Sequence, residues 1–185
     1  MTDDLLALRV DELLNVLASG EPDPGSGSAA AIVLAMAASL VAKAARSPCE
    51  SWPEAGGAAA QAEALRARAT PLADADALVY REAHTRLGRA EGADHTLAAS
   101  LDRAAEVPLE ITRIGADVAA LAREVADRCD PGLRPDVLGA AVLAAAAAQT
   151  AAQLVEANLT VFEGDPRVRE ANAHADAALG SAADG

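Results

Sequence analysis

The sequence predicts an all-α protein, a single-domain bundle of about five to six helices. Two observations of composition carry this. Hydrophobic residues make up 52% of the 185 positions, yet aromatics only 2%. Much of the apolar content is Ala, with Leu and Val behind it. Ala is the strongest helix former, whereas strands draw on β-branched and aromatic side chains. A third observation is spacing, because apolar residues recur three and four apart along successive segments. The length suits one domain, residues 1–185, with a core over 10–159.

The first helix is expected over Thr2 to Ala18, where Leu6, Val10, Leu13, Leu14 and Leu17 keep helical spacing and Gly20 ends the run. Glu21-Pro22-Asp23-Pro24-Gly25-Ser26-Gly27-Ser28 alternates proline and glycine too densely for a helix. Ser28 is suited to cap a second helix, Ala29 to about Arg46. Pro48 to Gly57 reads as a loop, and a long helical stretch from Ala58 to about Arg86 follows. Pro71 falls inside it, so either a kink forms there or Thr70 and Pro71 open a new helix.

Gly88 to Asp94 reads as a turn before a fourth helix from His95. Pro108 predicts a kink or a break in that helix, after which Ile111, Ile114, Val118, Leu121 and Val125 resume the pattern. Cys129-Asp130-Pro131-Gly132 closes it, and Asp136 can cap a fifth helix to about Leu159. Gly164-Asp165-Pro166 resets the chain for a short sixth helix over 166–179, and a polar tail expected to fray.

A formal net charge of -13 argues against nucleic acid, which needs a basic face to displace counterions, and against anionic membrane surfaces. Ala29 to Ala42 and Leu138 to Val155 are uncharged. The first is shorter than the roughly 20 residues a bilayer needs, and the second is mostly Ala with Gln149 and Gln153. Both read as buried bundle helices rather than membrane spans. Cys49 and Cys129 show no CxxC or Cys/His spacing, so no metal is expected. The acidic start Met1-Thr2-Asp3-Asp4 is unlike a secretory signal, and a cytoplasmic protein with free thiols is expected.

Asp74 and Asp76 are two residues apart, so on a helix they point to nearly opposite sides. Asp76 follows Leu72 by four and precedes Val79 by three, which puts it on the apolar seam. A carboxylate there is costly unless hydrogen-bonded or raised in pKa, the environment of a general acid/base. The alternative is an inward Asp satisfied by a helix end or by Tyr80. Gly25, Ser26, Gly27 and Ser28 are candidates for holding a polar ligand, since glycine permits close approach and a helix start offers free N–H groups. A tight turn with a serine cap is the plainer account.

Gln149, Gln153 and Glu156 make one polar stripe, read as a solvated face, with Asn158 opposite and facing inward. Arg66, Arg68, Arg81, Arg86 and Arg89 are read as solvated or locally paired, with a subset able to attract an acidic ligand. His84, His95 and His174 show no nucleophile or ligand arrangement, and Trp52 and Tyr80 read as packing residues.

Taken in order, these segments resemble the cyclodeaminase/cyclohydrolase family, formiminotetrahydrofolate cyclodeaminases and the related methenyltetrahydrofolate cyclohydrolases. Pro22 to Ala30 is similar to a P-x-P-G-G-G-S-x-A turn, and Leu72-Ala73-Asp74-Ala75-Asp76 with Tyr80 to an L-x-D-x-D-x-x-x-aromatic segment. Val107-Pro108-Leu109 resembles a V-P-L kink. Arg134, Asp136, Ala140, Ala151, Val155, Asn158 and Leu159 resemble an R-S-D…A…N-V-x-x-N-L helix. The likeness covers roughly Val10 to Leu159. It departs at Ser26, Pro135, Thr150 and Leu154, which stand for Gly, Ser, Gly and Asn, and Ser47-Pro48-Cys49-Glu50 replaces a basic segment.

The resemblance implies an all-helical homodimer with a folate-type small molecule as substrate and no separate cofactor. The implied reaction cyclises 5-formiminotetrahydrofolate to 5,10-methenyltetrahydrofolate with ammonia release, or is the related cyclohydrolase step. It implies a catalytic carboxylate in the D-x-D segment, carried to Asp76 with Asp74 as second choice. Substrate contacts would come from Gly25, Ser26, Gly27, Ser28, Asp136 and Asn158. The alternative is a catalytically divergent or inactive helical dimer that serves as an interaction or regulatory module.

Overall fold

A single 3-10 turn at Leu5–Ala7 precedes seven α-helices among the residues that the computed structural model describes, 4–21, 24–47, 52–87, 95–160 and 162–183. They are α1 (Val10–Leu17), α2 (Ser26–Ala45), α3 (Ala55–Ala69), α4 (Leu72–Leu87), α5 (His95–Ala126), α6 (Arg134–Asn158) and α7 (Pro166–Ala183). No strand occurs among the described residues, as an Ala/Leu composition requires. Cys49, Arg89 and the turn at 88–94 lie outside the described residues.

The two inserted prolines behave differently. Pro71 separates α3 from α4, so the break, not the kink, occurs there and supplies the additional helix. Its carbonyl accepts the Ala75 N–H and starts α4. Pro108 breaks nothing, and α5 runs through it for 32 residues.

Local hydrogen bonds move several helix ends from their expected places. The first α-helix leaves out residues 4–9, which the sequence places within it. Asp4 accepts the Ala7 N–H at 3.0 Å and winds a tight turn, and α1 starts after Arg9, whose N–H donates to Glu12. Short polar side chains compete with the helical ladder in this way. Ser28 does not cap α2, because its hydroxyl is turned into the protein; Gly25 is the cap and the helix begins at Ser26. The expected loop at 48–57 shortens, since α3 begins at Ala55 behind the buried Trp52. Asp136 is not the cap of α6, which begins at Arg134 with Pro135 in its first turn. The expected fraying after 179 is absent up to Ala183.

Helices α2, α5 and α6 form the centre. α3 packs on α2 and α5, α4 on α5 and α2, and α7 on α5 and α6. Leu34, Leu109, Ile111, Ile114, Val118, Val137 and Val155 are fully buried, and small Ala side chains fill most of the remaining core. Small residues let backbones approach: a Cβ at Gly115 of α5 would lie 2.8 Å from the Cβ of Ala148 in α6. A glycine inside a helix costs roughly 0.5–1 kcal/mol against Ala, which this close contact offsets.

Helices α2 and α6 have the length and hydropathy to cross a bilayer, but 61% and 50% of their most apolar windows are buried within the bundle. At the other end of the polarity scale, Arg167 clasps the start of α7 to α5, reaching Asp102 at 2.5 Å and Glu106 at 2.6 Å, with Asp165 at 2.8 Å on its own side.

Candidate active site

Helix α4 sorts the two aspartates as its period demands. Asp76 shares a face with Leu72 and Val79 and is 8% exposed. Asp74 points elsewhere, and its Oδ1 accepts the backbone N–H of Leu5 at 2.8 Å. That bond pins the N-terminal turn to α4. The structure therefore separates the two carboxylates: Asp74 holds the chain, and Asp76 faces the first turn of α2.

The approach to α2 is close. An ideal Cβ at Gly27 would fall on the Asp76 carboxyl group, 2.5 Å from its Cγ. Real Cβ contacts do not come so near, so Asp76 occupies space that only glycine leaves open. The Ser28 hydroxyl lies 2.8 Å from the Ala73 carbonyl and 3.1 Å from Asp76 Oδ2, and the Ser28 backbone N–H also bonds the carboxyl group.

Two effects oppose each other at Asp76. The Ser28 bonds and the positive end of α2 favour the carboxylate. Burial favours the neutral acid, and burial wins: the Asp76 pKa is raised above its ordinary 3.8. A serine hydroxyl carries one hydrogen and two lone pairs. Pointed at Asp76, it serves the carboxylate. Pointed at Ala73, it leaves a lone pair for the acid's own O–H. Ser28 thus suits both protonation states.

Asp76 borders a cavity of about 180 Å³. Gly25, Ser26 and Gly27 form one wall; Val79 and Tyr80 of α4 stand beside Asp76; Ala104 of α5 and Leu154 and Asn158 of α6 close the far side. Drug-sized ligands use pockets of roughly 300–1,000 Å³, so this space suits one ring system, with the rest of a larger molecule outside. Tyr80 is 43% exposed, and its ring stacks on His84 with centroids 6.0 Å apart. The Asn158 Nδ2 donates to the Ala104 carbonyl at 3.0 Å.

Of the residues singled out in the sequence, Gly25, Ser26, Gly27, Ser28, Asp76 and Asn158 come together. Asp136 does not join them. It pairs with Lys43 at 2.8 Å on the surface, and 22 residues of α6 put it about 33 Å from Asn158. Gln149, Gln153 and Glu156 are exposed, as an outward stripe should be. Arg66 pairs with Glu63, and Arg68 with Glu110 and Asp117, all away from the cavity. The Arg86 and His95 side chains lie outside the described positions. Among the described residues no three His, Cys, Asp or Glu side chains converge as a metal site.

Sequence reasoning took Tyr80 for a packing residue, left Val79 and Ala104 outside the site, and singled out Leu154 only as the replacement of a polar site group in the resembled motif. Tyr80, Val79 and Leu154 were within reach of a spacing argument. Val79 and Tyr80 follow Asp76 by three and four, and Leu154 precedes Asn158 by four, so each shares a helix face with a site residue. Ala104 carried no such local signal.

The formiminotransferase-cyclodeaminase family profile matches residues 9–177. The structure is similar to that of formiminotetrahydrofolate cyclodeaminase from Thermotoga maritima, with a TM-score of 0.84 over 96% of this chain and 95% of that one. The two sequences are 23% identical, so this likeness is one of fold. No curated protein matches the chain. A profile that spans nearly the whole bundle, from the start of α1 into α7, and includes every residue around the cavity settles the kinship: the chain belongs to the formiminotransferase-cyclodeaminase family.

Proposed function

We propose that the chain is a folate one-carbon enzyme that closes 5-formiminotetrahydrofolate to 5,10-methenyltetrahydrofolate and releases ammonia. The observation that carries this reading is Asp76: a buried carboxyl group, raised in pKa, on the wall of a ring-sized cavity at a helix start.

In the reaction N10 attacks the formimino carbon of the protonated formimino group. The new N10–C bond leaves N10 with a proton to lose, and the amine needs one before the C–N bond breaks. Asp76 takes the first proton and delivers it to the amine, so one carboxyl group serves both steps with no net gain. Such a shuttle contributes about 10²–10⁴-fold, and it works best with a pKa moved toward neutrality. Ser28 accommodates both states of the acid, while Gly25, Ser26 and Gly27 offer helix-start N–H groups to the ring. The folate is the substrate, and the reading invokes no other cofactor. The related cyclohydrolase step, attack of water on the methenyl carbon, would use the same carboxyl group as base.

The reading includes a homodimer in the cytoplasm. Met36 and Val142, on the outer faces of α2 and α6, are 57% and 56% exposed, which suits a second copy packed there.

Leu154 favours a second reading, in which the scaffold persists without the reaction. It puts an aliphatic side chain on the cavity wall where the resembled helix motif carries Asn. Two measurements separate the readings. Methenyl absorbance rising with wild type and not with Asp76→Ala supports the enzyme. No turnover, and no rise in thermal stability with any tetrahydrofolate derivative, would leave the inactive module.

A further inference from the structure

Within an α-helix the carbonyl of residue 104 would accept the N–H of residue 108. Residue 108 is proline, which has none, and its ring pushes that carbonyl aside. Both residues are buried in the middle of α5, so the Ala104 oxygen needs another donor. The donor is Asn158 Nδ2 of α6, at 3.0 Å.

A carbonyl oxygen can only accept. The Asn158 amide must therefore turn its NH₂ toward Ala104, which leaves Oδ1 for the cavity that Asn158 lines. The arrangement is held from behind. Arg167 bonds Asp102 at 2.5 Å and Glu106 at 2.6 Å, one on each side of Ala104 in sequence, so this part of α5 is fastened to α7.

We propose that Pro108 is a positioning residue: by removing the donor for Ala104 it locks Asn158 as a hydrogen-bond acceptor in the cavity, and so selects ligands that present an N–H donor there. The second half rests on the reading of this cavity as the substrate site. The chemical class is an amino-substituted or N–H-bearing heterocycle. A ring with only acceptors on that edge would meet Oδ1 with a lone pair and leave both unsatisfied.

The first half is tested without ligand. In ¹⁵N-labelled wild-type protein the Asn158 side-chain amide protons exchange slowly with solvent. In Pro108→Ala the new N–H takes the Ala104 carbonyl, and exchange becomes about tenfold faster or more. Equal rates in the two proteins overturn the proposal. As a second check, Asn158→Ala lowers Tm in the wild-type background by roughly 2–4 °C for a lost bond of this kind. It lowers Tm by less than half as much beside Pro108→Ala, where the carbonyl is already paired. Equal losses overturn it too.

The second half is read from binding of tetrahydrofolate and its 2-desamino and N3-methyl analogues. Wild type loses about tenfold or more with at least one analogue, and Pro108→Ala narrows that gap while its circular dichroism stays helical. Equal binding of all three removes the donor requirement and leaves the functional reading standing. Binding of none removes the ligand class along with that reading, while the exchange result still decides the role of Pro108.

Discussion

Asp76 stands where any other residue at position 27 would put its β-carbon. The absence of a side chain at Gly27 lets a carboxyl group from α4 reach the first turn of α2. Gly27→Ala is therefore predicted to force Asp76 away from Ser28. Overpacking of this kind costs typically 1–3 kcal/mol, so the expected result is a Tm lower by several degrees, together with loss of methenyl formation. An alanine variant with unchanged Tm and turnover would remove the close approach from the argument.

The raised pKa of Asp76 makes a signed prediction about stability. The folded protein holds this proton more tightly than the unfolded chain, so stability falls as pH rises from the ordinary aspartate value of 3.8 through the raised one. Asp76→Asn cannot lose a proton and lacks that fall. The variant should match wild type in acid and exceed it in Tm above the window, while its turnover drops by about 10²–10⁴-fold. Parallel Tm profiles from pH 4 to pH 8 would contradict the burial argument.

Asp74 and Asp76 should separate by phenotype as they do by position. Asp74→Ala removes the acceptor for the Leu5 N–H, at a cost of about 0.5–1.5 kcal/mol. The expected outcome is faster amide exchange and easier proteolysis at the N-terminal turn, with turnover close to wild type. A collapse of turnover without loosening of the N-terminus would return Asp74 to the chemistry.

Arg167 holds the Asp165 carboxyl group at a pKa of about 2, chiefly through the direct hydrogen bond. The lowered pKa adds stability above pH 3.8 that is lost as pH falls toward 2. Arg167→Ala should return the Asp165 titration, followed by carbon NMR, to the ordinary aspartate range and fray the start of α7. An unchanged titration midpoint would show that the arginine is not the cause.

Much of the molecule could be read from the chain. Helical spacing placed Asp76 with Leu72 and Val79 and set Asp74 apart, because a period of 3.6 residues acts within a turn or two. The same logic failed at Ser28. A serine before an alanine run has the form of a cap, but its hydroxyl is drawn inward by Ala73 and Asp76, which lie 45 and 48 residues away. Asp136 was grouped with the site by motif order, and α6 is too long for both of its ends to touch one ring.

The two prolines mark the boundary between local and tertiary information. By itself the sequence determined an all-helical chain, the approximate helices, and the face of α4 that carries a buried acid. It offered Pro71 and Pro108 as equivalent signals, since each removes one N–H and strains one turn. Folding decided that the first would end a helix and the second would not. At Pro108 the freed Ala104 carbonyl meets an amide donor 54 residues further along the chain. Whether an orphaned hydrogen-bonding group finds a partner depends on which helices pack together, and periodicity within one helix does not reach that far.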